Sequence, residues 1–330
     1  MKISVAIATY NGEKYIKSQL QSILDQDMPV DEVIICDDRS TDNTLIVAES
    51  FIKENGLENW KVYKNAQNLG FSRNFFNAIS KTTGDIIFLA DQDDIWLPNK
   101  VSVMYGIMLQ NPKILALSSR YSLIDSFNKD IENPGIINVD IKDDGAMEPV
   151  SVQSLIGCSY IRGCATCFRA SLKASLIDIN LDDLLAHDWL INILASLNGK
   201  NYIVNKILFK YRYHGENASL TAVSRTRLIG DIEKRKRGLE QSVFAHSYIL
   251  EHSHEYKNMT QSIKKKLSKC IKFEKLRLKF LNTRNLLLYF LLALKVGNYK
   301  MYYKSFFKGI KVWAGDFLYA YNIGGAKGQK

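Results

Sequence analysis

The sequence has no apolar run long enough to cross a bilayer. The longest run, Leu286 to Leu294, has nine residues, whereas a membrane-spanning helix needs about 18 or more. The first ten residues, MKISVAIATY, also lack the cleavage pattern of a secretory signal peptide and predict a first β-strand instead. These absences favour a cytoplasmic protein without a membrane-spanning segment.

Cysteine is scarce and shows no disulfide framework. The five cysteines are Cys36, Cys158, Cys164, Cys167 and Cys270. Their odd number and irregular spacing predict reduced thiols in the cytosol. Cys164 and Cys167 form a C-x-x-C, but a structural zinc site would need a second pair or suitably spaced histidines, and none follows closely. The pattern therefore predicts two thiols packed near one strand.

Acidic residues are almost absent from the C-terminal region. From Ile263 to Lys330 there are 16 Lys and Arg against only Glu274 and Asp316, a net charge of +14. Because the whole chain carries +10, residues 1–262 sum to −4. Such asymmetry indicates an anionic surface as partner. No nucleic-acid-binding motif accompanies the charge, so nucleic acid is not expected as a partner.

Strands and helices alternate along the first part of the chain. Strands are predicted at Ile3–Ala8, Val33–Cys36, Lys61–Lys64, Asp85–Ala90 and Leu115–Ser118. Helices are predicted at Glu13–Leu24, about Asp42–Asn55, Phe71–Ser80 and after Pro98, a good first helical residue. This alternation predicts an α/β domain with a mainly parallel sheet, whose ligands bind at the carboxyl ends of the strands.

The rest of the chain is predicted to be less regular and then helical. We expect a long polar loop from Tyr121 to about Val150 and a strand from Tyr160 to Phe168. A helix His187–Leu197 and strands Tyr202–Val204 and Ile207–Tyr213 follow. After Ser219 the pattern is helical. The predicted domains are residues 1–220, which are catalytic, and residues 221–330, a helical appendage.

The stretch DIIFLADQDDIWLP carries a buried strand directly into Asp91, Asp93 and Asp94. Such carboxylates repel one another, and at least one pKa would rise unless a cation neutralised them. A D-x-D at a strand end suits Mg²⁺ or Mn²⁺ together with a substrate diphosphate. The alternative is a solvated acidic turn at the start of the next helix.

Four stretches in order carry a resemblance to a known family: VAIATYNGEKYI, EVIICDDRSTDNT, NLGFSRNFFNAI and GDIIFLADQDDIWLPNKV. The chain resembles family-2 inverting glycosyltransferases of the GT-A fold, a Rossmann-like mixed sheet flanked by helices. Weaker matches are RGCATCFRASL, HDWL and YRYHGENAS. The combination of ADQDDIW, HDW and YRYHGEN is most similar to rhamnosyltransferase-like members.

The resemblance implies a set of residues that bind the donor nucleotide: Thr9, Tyr10, Glu13, Asp38, Arg73 and Asp91. Asp38 would accept a hydrogen bond from N3–H of uracil or thymine, which suits a carboxylate because it only accepts. The alternative is a helix-capping aspartate, although Ser40 or Asp42 would also serve that role. Arg73 would approach the diphosphate; the alternative is a surface arginine.

The resemblance also implies metal, acceptor and catalytic positions. Asp93 would bind the divalent cation, Mn²⁺ or Mg²⁺, directly, with Asp91 nearer the ribose and His214 as a further contact. The acceptor side would comprise Gly163, Cys164, His187 and Trp189. Asp188, in the HDW motif, would be the catalytic base, the alternative being a helix cap. For His214 the alternative is a packed or surface histidine.

Aromatic residues recur at helical spacing near the C-terminus. They are Tyr299, Tyr302, Tyr303, Phe306, Ile310, Trp313 and Phe317, with Lys300, Lys304, Lys308 and Lys311 on another face. This basic amphipathic pattern predicts an interfacial helix on an anionic membrane. The alternative is an ordinary helix whose aromatic face packs on the catalytic domain while its lysines are solvated.

The resemblance implies transfer of L-rhamnose from dTDP-rhamnose to a hydroxyl of a lipid-linked or cell-surface polysaccharide. Alternatives are a UDP-hexose or UDP-N-acetylhexosamine transferase, and a non-catalytic nucleotide-sugar-binding or glycan-binding homologue. A sugar nucleotidyltransferase is disfavoured because no Gly-rich basic loop follows the first strand. The expected location is the cytoplasmic face of the cell membrane. The oligomeric state is left open.

Overall fold

The computed structural model describes residues 1–133, 142–157, 160–178, 186–214, 232–299 and 306–321. The chain divides into two compact units. The first comprises Met1–Ser151 with Tyr160–His214, and the second comprises Val152–Ser159 with Gly215–Lys330. The predicted domain boundary, between residues 220 and 221, lies outside the described residues.

The first unit is built on one mixed sheet, with nine strands within the described residues. In chain order the strands are β1 Ile3–Thr9, β2 Glu32–Asp37, β3 Trp60–Lys64, β4 Ile86–Asp91, β5 Ile95–Trp96, β6 Ile114–Ile124, β7 Met147–Pro149, β8 Thr166–Arg169 and β9 Lys200–Arg212. Their spatial order is β3-β2-β1-β4-β8-β6-β9-β5, with β7 beside β9. The first four are parallel, β8 is antiparallel to β4 and β6, and β6 and β9 are parallel. The predicted α/β fold is confirmed.

Helices flank this sheet. They are α1 Glu13–Leu24, α2 Thr44–Glu54, α3 Phe71–Lys81, α4 Lys100–Gln110, α6 Lys173–Asp178 and α7 His187–Asn198, while α5 Val152–Leu155 belongs to the second unit. α1 has the predicted bounds and buries Ile16, Leu20 and Ile23. α4 begins two residues after Pro98, and the Pro98 carbonyl accepts a hydrogen bond from the Asp27 N–H at 2.8 Å.

The predicted structure between residues 115 and 213 is partly wrong. β6 continues to Ile124, where a loop was expected, because it pairs with β9 along its length. The strand predicted from Tyr160 begins only at Thr166, after a 3₁₀ turn at Gly163–Ala165. The two strands predicted at 202–204 and 207–213 are one continuous strand, β9, whose register with β6 shifts at irregularities.

The central strands position the candidate site. β2 is buried along its whole length, and β1 and β4 are buried at all but one position each. Thr9 pairs with Asp37, and Ala8 pairs with Asp91. The carboxyl ends of β1, β2 and β4 therefore meet at one edge of the sheet.

The second unit is helical, as predicted. Its longer helices are α8 Ile232–Glu251, α9 Gln261–Thr283, α10 Leu286–Leu294 and α11 Phe306–Ala320, and a 3₁₀ turn spans Val296–Tyr299. No helix in the described part of the chain is both long and apolar enough to cross a bilayer.

The aromatic residues of the C-terminal region pack inside this unit. Tyr299 is fully buried and ends the 3₁₀ turn, so it does not begin the predicted amphipathic helix. Trp313 and Phe317 of α11 pack against the core of the unit, and the Trp313 ring stacks on Tyr289 with centroids 4.7 Å apart. These residues therefore pack within the second unit itself, rather than on the catalytic domain as the alternative supposed. Lys300, Tyr302, Tyr303 and Lys304 lie outside the described residues.

An ionic cluster lies in the core of the second unit. Asp316 accepts two hydrogen bonds from Arg277, at 2.8 and 3.0 Å, and one from Arg235 at 2.7 Å. The Tyr299 hydroxyl also donates to it at 2.7 Å. Burial alone would raise the pKa of Asp316, but Arg277 and Arg235 outweigh it and hold this pKa below its ordinary value.

Candidate active site

Gln92 ties the ends of β1 and β4 together. Its Oε1 accepts a hydrogen bond from the Tyr10 N–H at 2.8 Å, and its Nε2 donates to the Tyr10 carbonyl at 3.0 Å. Its side chain occupies the space beside Gly12, where a Cβ would lie 2.2 Å from Oε1. The residue between Asp91 and Asp93 therefore shapes the edge of the sheet, and only a glycine at position 12 leaves room for it.

The acidic cluster, Asp91, Asp93 and Asp94, lies at the end of β4. Burial raises the pKa of Asp91 to about 7, and the like charge of Asp93 adds to the effect, against the Cys164 thiol and Arg162. Burial and the charges of Asp93 and Asp91 raise the pKa of Asp94 well above its usual range. The repulsion expected from the sequence is therefore present among these carboxylates.

His214 and Arg212, at the end of β9, contact this cluster. His214 Nε2 lies 2.9 Å from Asp93 Oδ2, and its ring is 5.2 Å from that of Tyr15. The Arg212 Nε donates to the Asp93 carbonyl at 2.7 Å, and its backbone N–H donates to Asp94 Oδ1 at 3.1 Å. The structure thus brings together Asp93 and His214, the two residues predicted to bind metal.

Two further cations lie behind the cluster. Lys100 is fully buried, with Nζ donating to the Cys164 carbonyl at 2.6 Å and lying 4.1 Å from the Trp96 ring centroid. Burial lowers the pKa of Lys100 to about 8. Arg162 donates to the Tyr121 hydroxyl at 2.9 Å and lies 4.2 Å from the Tyr211 ring centroid. The pKa of Asp91 and that of Asp94 nevertheless stay raised. These cations therefore offset the negative charge of the cluster only in part.

Asp38 holds the loop before α3. Its Oδ1 accepts hydrogen bonds from Asn65 Nδ2 and the Leu69 N–H, and its Oδ2 accepts one from the Gly70 N–H, at 2.7 to 2.8 Å. The side chain is buried. A carboxylate offers about four acceptor positions, and these contacts use three of them.

Other residues predicted to bind the donor are placed around the same edge. Thr9 is buried, and its Oγ1 donates to Asp37 Oδ1 at 3.2 Å. Tyr10 is half-exposed. Glu13 accepts hydrogen bonds from the Asn43 side chain and backbone at 2.8 and 3.0 Å, which fixes the loop before α2. Arg73 is half-buried in the first turn of α3.

Asp188 lies in the first turn of α7. Its negative charge contributes to the raised pKa of Asp91, which places the two carboxylates within electrostatic reach. Asp188 Oδ1 accepts a hydrogen bond from the Trp189 N–H at 2.6 Å. The helix begins after Ala186, and no side chain caps it, so Asp188 is in the helix rather than at its N-cap. Trp189 itself is buried.

His187 fits into the space left by Gly163. A Cβ on Gly163 would lie 2.4 Å from His187 Nε2, so this close approach requires glycine. The His187 ring stacks on Phe75 with centroids 3.9 Å apart, and neither ring nitrogen has a hydrogen-bond partner among the described residues. Burial lowers the pKa of His187 to about 3, so the ring is neutral.

The donor set of the acidic cluster fits a hard divalent cation. Asp94 Oδ2 is buried without a hydrogen-bond partner among the described residues, and carboxylate oxygens are the ligands that Mg²⁺ and Mn²⁺ prefer. Ligand atoms of Asp91, Asp94 and Cys164 lie within 4.8 Å of one another. Burial raises the pKa of Cys164 well above its usual range, so its protonated thiol is a poor ligand.

Sequence reasoning missed Gln92, Lys100 and Arg162. Lys100 had a signal, since it stands four and eight residues before Met104 and Met108, on the buried face of α4. Gln92 and Arg162 had none, because their roles depend on contacts between distant segments. The described cysteines, Cys36, Cys164, Cys167 and Cys270, are free and buried, as expected for packed thiols.

Comparison with known proteins places this site in context. The model of the family described as Glycosyl transferase family 2 matches residues 4–173, just over half of the chain. The dTDP-rhamnosyl transferase RfbG of Shigella flexneri is 29% identical over 218 residues, which cover 64% of this chain and 72% of that protein.

Two solved structures resemble the fold. TarS 1–349 of Staphylococcus aureus in complex with UDP-GlcNAc has a TM-score of 0.59 at 20% identity and covers 85% of this chain and 73% of that one. Mannosyltransferase PcManGT of Pyrobaculum calidifontis in complex with GDP-Man and Mn²⁺ has a TM-score of 0.54 at 15% identity, covering 99% and 88%. These likenesses confirm the predicted GT-A architecture.

Proposed function

Since the chain belongs to glycosyl transferase family 2, we propose that it transfers L-rhamnose from dTDP-rhamnose to a glycan hydroxyl with inversion. The family fixes the general reaction, transfer of a sugar from a nucleotide sugar to a glycan acceptor. The choice of donor is supported by the similarity to RfbG. The observation that carries the proposal is the acidic cluster at the end of β4, whose charge the neighbouring cations offset only in part, with Asp188 in electrostatic reach of Asp91.

The donor nucleotide would lie along the ends of β1 and β2. Asp38 would accept a hydrogen bond from the N3–H of thymine, and the half-exposed Tyr10 would cover the base or ribose. Thr9 and Glu13 would act by fixing the strand end and the neighbouring loop, since their side chains already bond within the protein. Arg73 would approach the diphosphate, where a guanidinium matches phosphate geometry.

Asp93 and His214 would hold a divalent cation, with Asp91 nearer the ribose. A bound Mg²⁺ or Mn²⁺ would supply compensation for the charge that develops on the leaving diphosphate. The same carboxylates repel one another without it, which is consistent with the raised pKa of Asp91. Arg212, fixed on the Asp93 carbonyl, would keep this loop in place.

Asp188 would be the general base. Its carboxylate would accept the proton of the acceptor hydroxyl while that oxygen bonds to the anomeric carbon and the bond to the diphosphate breaks. The Trp189 N–H donates to Oδ1 at 2.6 Å, which would help to fix the orientation of the carboxylate. Gly163, Cys164, His187 and Trp189 would form the wall beside it, with neutral His187 as a packed surface rather than a proton carrier.

The acceptor would be a lipid-linked or cell-surface polysaccharide, and the protein would work peripherally at the cytoplasmic face of the membrane. The excess of positive charge in the C-terminal region supports this location, because basic residues are attracted to anionic lipid surfaces.

The test compares Asp188→Asn with the wild type on dTDP-rhamnose and on UDP-GlcNAc. Asp188→Asn keeps the shape and removes the basicity, so kcat should fall by about 100-fold or more with donor affinity near wild type. Glu49→Gln, which removes an exposed charge on α2, is the control and should be fully active.

Weakened donor binding with kcat intact would show that Asp188 belongs to the donor side. Turnover of UDP-GlcNAc alone would replace the rhamnosyl donor by the UDP-sugar alternative. Donor binding without hydrolysis or transfer in the wild type would indicate a non-catalytic homologue.

A further inference from the structure

Helix α10 exposes an apolar face. Five large apolar side chains of this helix are exposed: Leu286 by 51%, Leu287 by 68%, Phe290 by 63%, Leu291 by 38% and Leu294 by 83%. Positions i, i+1, i+4, i+5 and i+8 lie on one side of a helix. Soluble proteins rarely leave a contiguous patch of this kind uncovered, and such patches mark sites of interaction.

The opposite side of α10 fixes the helix to its unit. Leu288 and Tyr289 pack against the core, and Leu292 is part of it. The helix also has a formed N-cap, because Asn285 Oδ1 accepts a hydrogen bond from the Leu287 N–H at 2.8 Å. The exposure of the apolar face therefore does not come from an unfolded or detached segment.

A basic cavity of about 740 Å³ lies beside this helix in the same unit. Its lining includes five lysines: Lys264, Lys265, Lys269, Lys272 and Lys295. Leu250, Phe273 and Leu276 contribute apolar surface, and no acidic residue lines it. None of the five lysines forms an ion pair with another described residue. An anionic group of appreciable size would therefore neutralise charges that the protein leaves uncompensated.

The apolar face and the basic cavity adjoin. Leu294, the most exposed residue of the face, is followed directly by Lys295, which lines the cavity. Asn298 of the following 3₁₀ turn lines it too. Hydrocarbon contact next to several cationic groups matches the two parts of a phospholipid, the acyl chain and the phosphate.

We propose that the apolar face of α10 inserts into the acyl boundary of an anionic membrane and that the basic cavity binds a lipid phosphate there. The helix is about 13.5 Å long at 1.5 Å per residue, so it would lie in the interface rather than span the bilayer. The proposal rests on the peripheral location given under the proposed function and identifies its surface. It differs from the sequence-based prediction, since Trp313 and Phe317 of α11 pack inward.

A second copy of the chain is the competing occupant of the apolar face. Whether the two helices ran parallel or antiparallel, a symmetric contact through α10 would bring cations of the two copies together, because Arg284 precedes the helix and Lys295 follows it. Like charges at an interface disfavour association, whereas an anionic membrane is complementary to both features. The charge therefore favours the membrane.

The experiment measures co-sedimentation of the full chain with liposomes of phosphatidylcholine, with and without 30 mol% phosphatidylglycerol. Leu287→Gln with Phe290→Gln should lower partitioning onto both by roughly tenfold or more, since two large apolar side chains lose their burial. Lys269→Gln with Lys272→Gln should lower binding to the anionic liposomes by roughly tenfold and leave the weak zwitterionic binding unchanged.

Matched controls come from the first unit. Leu109→Gln, an exposed apolar residue of α4, and Lys53→Gln, an exposed lysine of α2, should leave binding unchanged. Melting curves should coincide with wild type for all variants, because every substituted residue is exposed. Point variants are preferable to truncation after Thr283, which would remove Asp316 and leave Arg277 buried without it.

Two results would overturn the proposal. If the α10 variant binds liposomes like wild type but light scattering shows that it loses a dimer, a second copy covers the face. If the lysine variant loses affinity for inorganic diphosphate in calorimetry while liposome binding stays intact, the cavity serves a soluble anion. Donor turnover on a soluble acceptor is measured in parallel, so failure of membrane binding is distinguished from failure of the proposed transfer.

Discussion

Two aspartates, one in each unit, are equally buried and have opposite surroundings. Asp94 and Asp316 are both 0% exposed. Asp94 stands beside two further carboxylates, and burial together with these charges raises its pKa. Asp316 stands between two guanidinium groups and a phenol, which outweigh burial and lower its pKa. The same side chain thus marks a crowded anionic site in one unit and a compensated one in the other.

The difference shows that burial of a charge does not by itself indicate function. A buried carboxylate that has opposite charges and hydrogen bonds is a structural element, whereas one held beside like charges costs folding free energy that only a ligand or a reaction recovers. The sign of the neighbouring charges and the number of hydrogen bonds to the carboxylate separate the two cases.

A further buried group of the second unit resembles Asp316 in having partners within the protein. His246, Cys270 and Glu274 of the second unit lie close enough to bind a metal, yet each has partners within the protein. His246 Nδ1 lies 3.1 Å from Glu274 Oε2, and its Nε2 accepts from the Gly157 N–H at 3.3 Å. Although burial would raise it, hydrogen bonds from His246 and Ser242 hold the pKa of Glu274 below its ordinary value. This group is a compensated network.

We expect the largest effect on stability from removing the carboxylate of Asp316, whose charge is compensated. Asp316→Ala leaves Arg277 and Arg235 in the core without their carboxylate, so the free energy of unfolding should fall by about 3–5 kcal/mol. Urea unfolding followed by circular dichroism measures it. Asp130→Ala removes an ion pair with Lys210 whose aspartate is 69% exposed, and should cost less than about 1 kcal/mol. Equal losses for the two variants would contradict the assignment.

Removing a charge from the acidic cluster should instead lower turnover. Asp93→Ala should lower metal-stimulated turnover by at least roughly 100-fold, because the leaving diphosphate loses its compensation. Its melting temperature should stay near wild type, since one of three repelling carboxylates is gone. Initial rates with Mn²⁺ and with EDTA provide the measurement. Wild-type turnover that EDTA leaves unchanged would refute the metal assignment.

The two sites should also differ in the sign of their pH dependence. The pKa of Asp91 is raised in the folded state to about 7, so the unfolded chain loses this proton first and stability falls as pH rises from about 4 to about 7. Asp91→Asn should make stability depend less on pH in this range. The free energy of unfolding, determined at each pH in the presence of EDTA, provides the measurement. Asp316 has a lowered pKa, so its contribution is present at neutral pH and is lost in acid. A profile of Asp91→Asn parallel to wild type would contradict the raised value.

Sequence periodicity predicted the elements that depend on local pattern. α1 was found with its predicted bounds, and β1, β2 and β4 within a residue or two, because buried parallel strands are continuous apolar runs. β6 was predicted too short and β9 was predicted as two strands, because their polar residues, such as Arg120 and Asn205, bond to each other across the strands at 2.9 Å. A polar run that satisfies itself cannot be told from a loop by sequence alone.

The site shows the same limit. The acidic cluster was visible because its three carboxylates lie within four residues of the sequence, and His214 lies beside Asp93 where the resemblance implied. The exposed face of α10 was not visible, because LLLYFLLAL is apolar on every side and has no amphipathic period. Which side is buried depends on Trp313 and Phe280, which come from other helices.

The residues of the ionic cluster in the second unit are synthesised at different times. The carboxylate of Asp316 is translated 81 residues after Arg235, which takes roughly 4–16 s at 5–20 residues per second. During that interval Arg235 lacks its acceptor, so we expect the core of this unit to close only after Asp316 has been made. Its last step of folding therefore waits for one residue, and a nascent chain stalled before Asp316 is expected to require a chaperone.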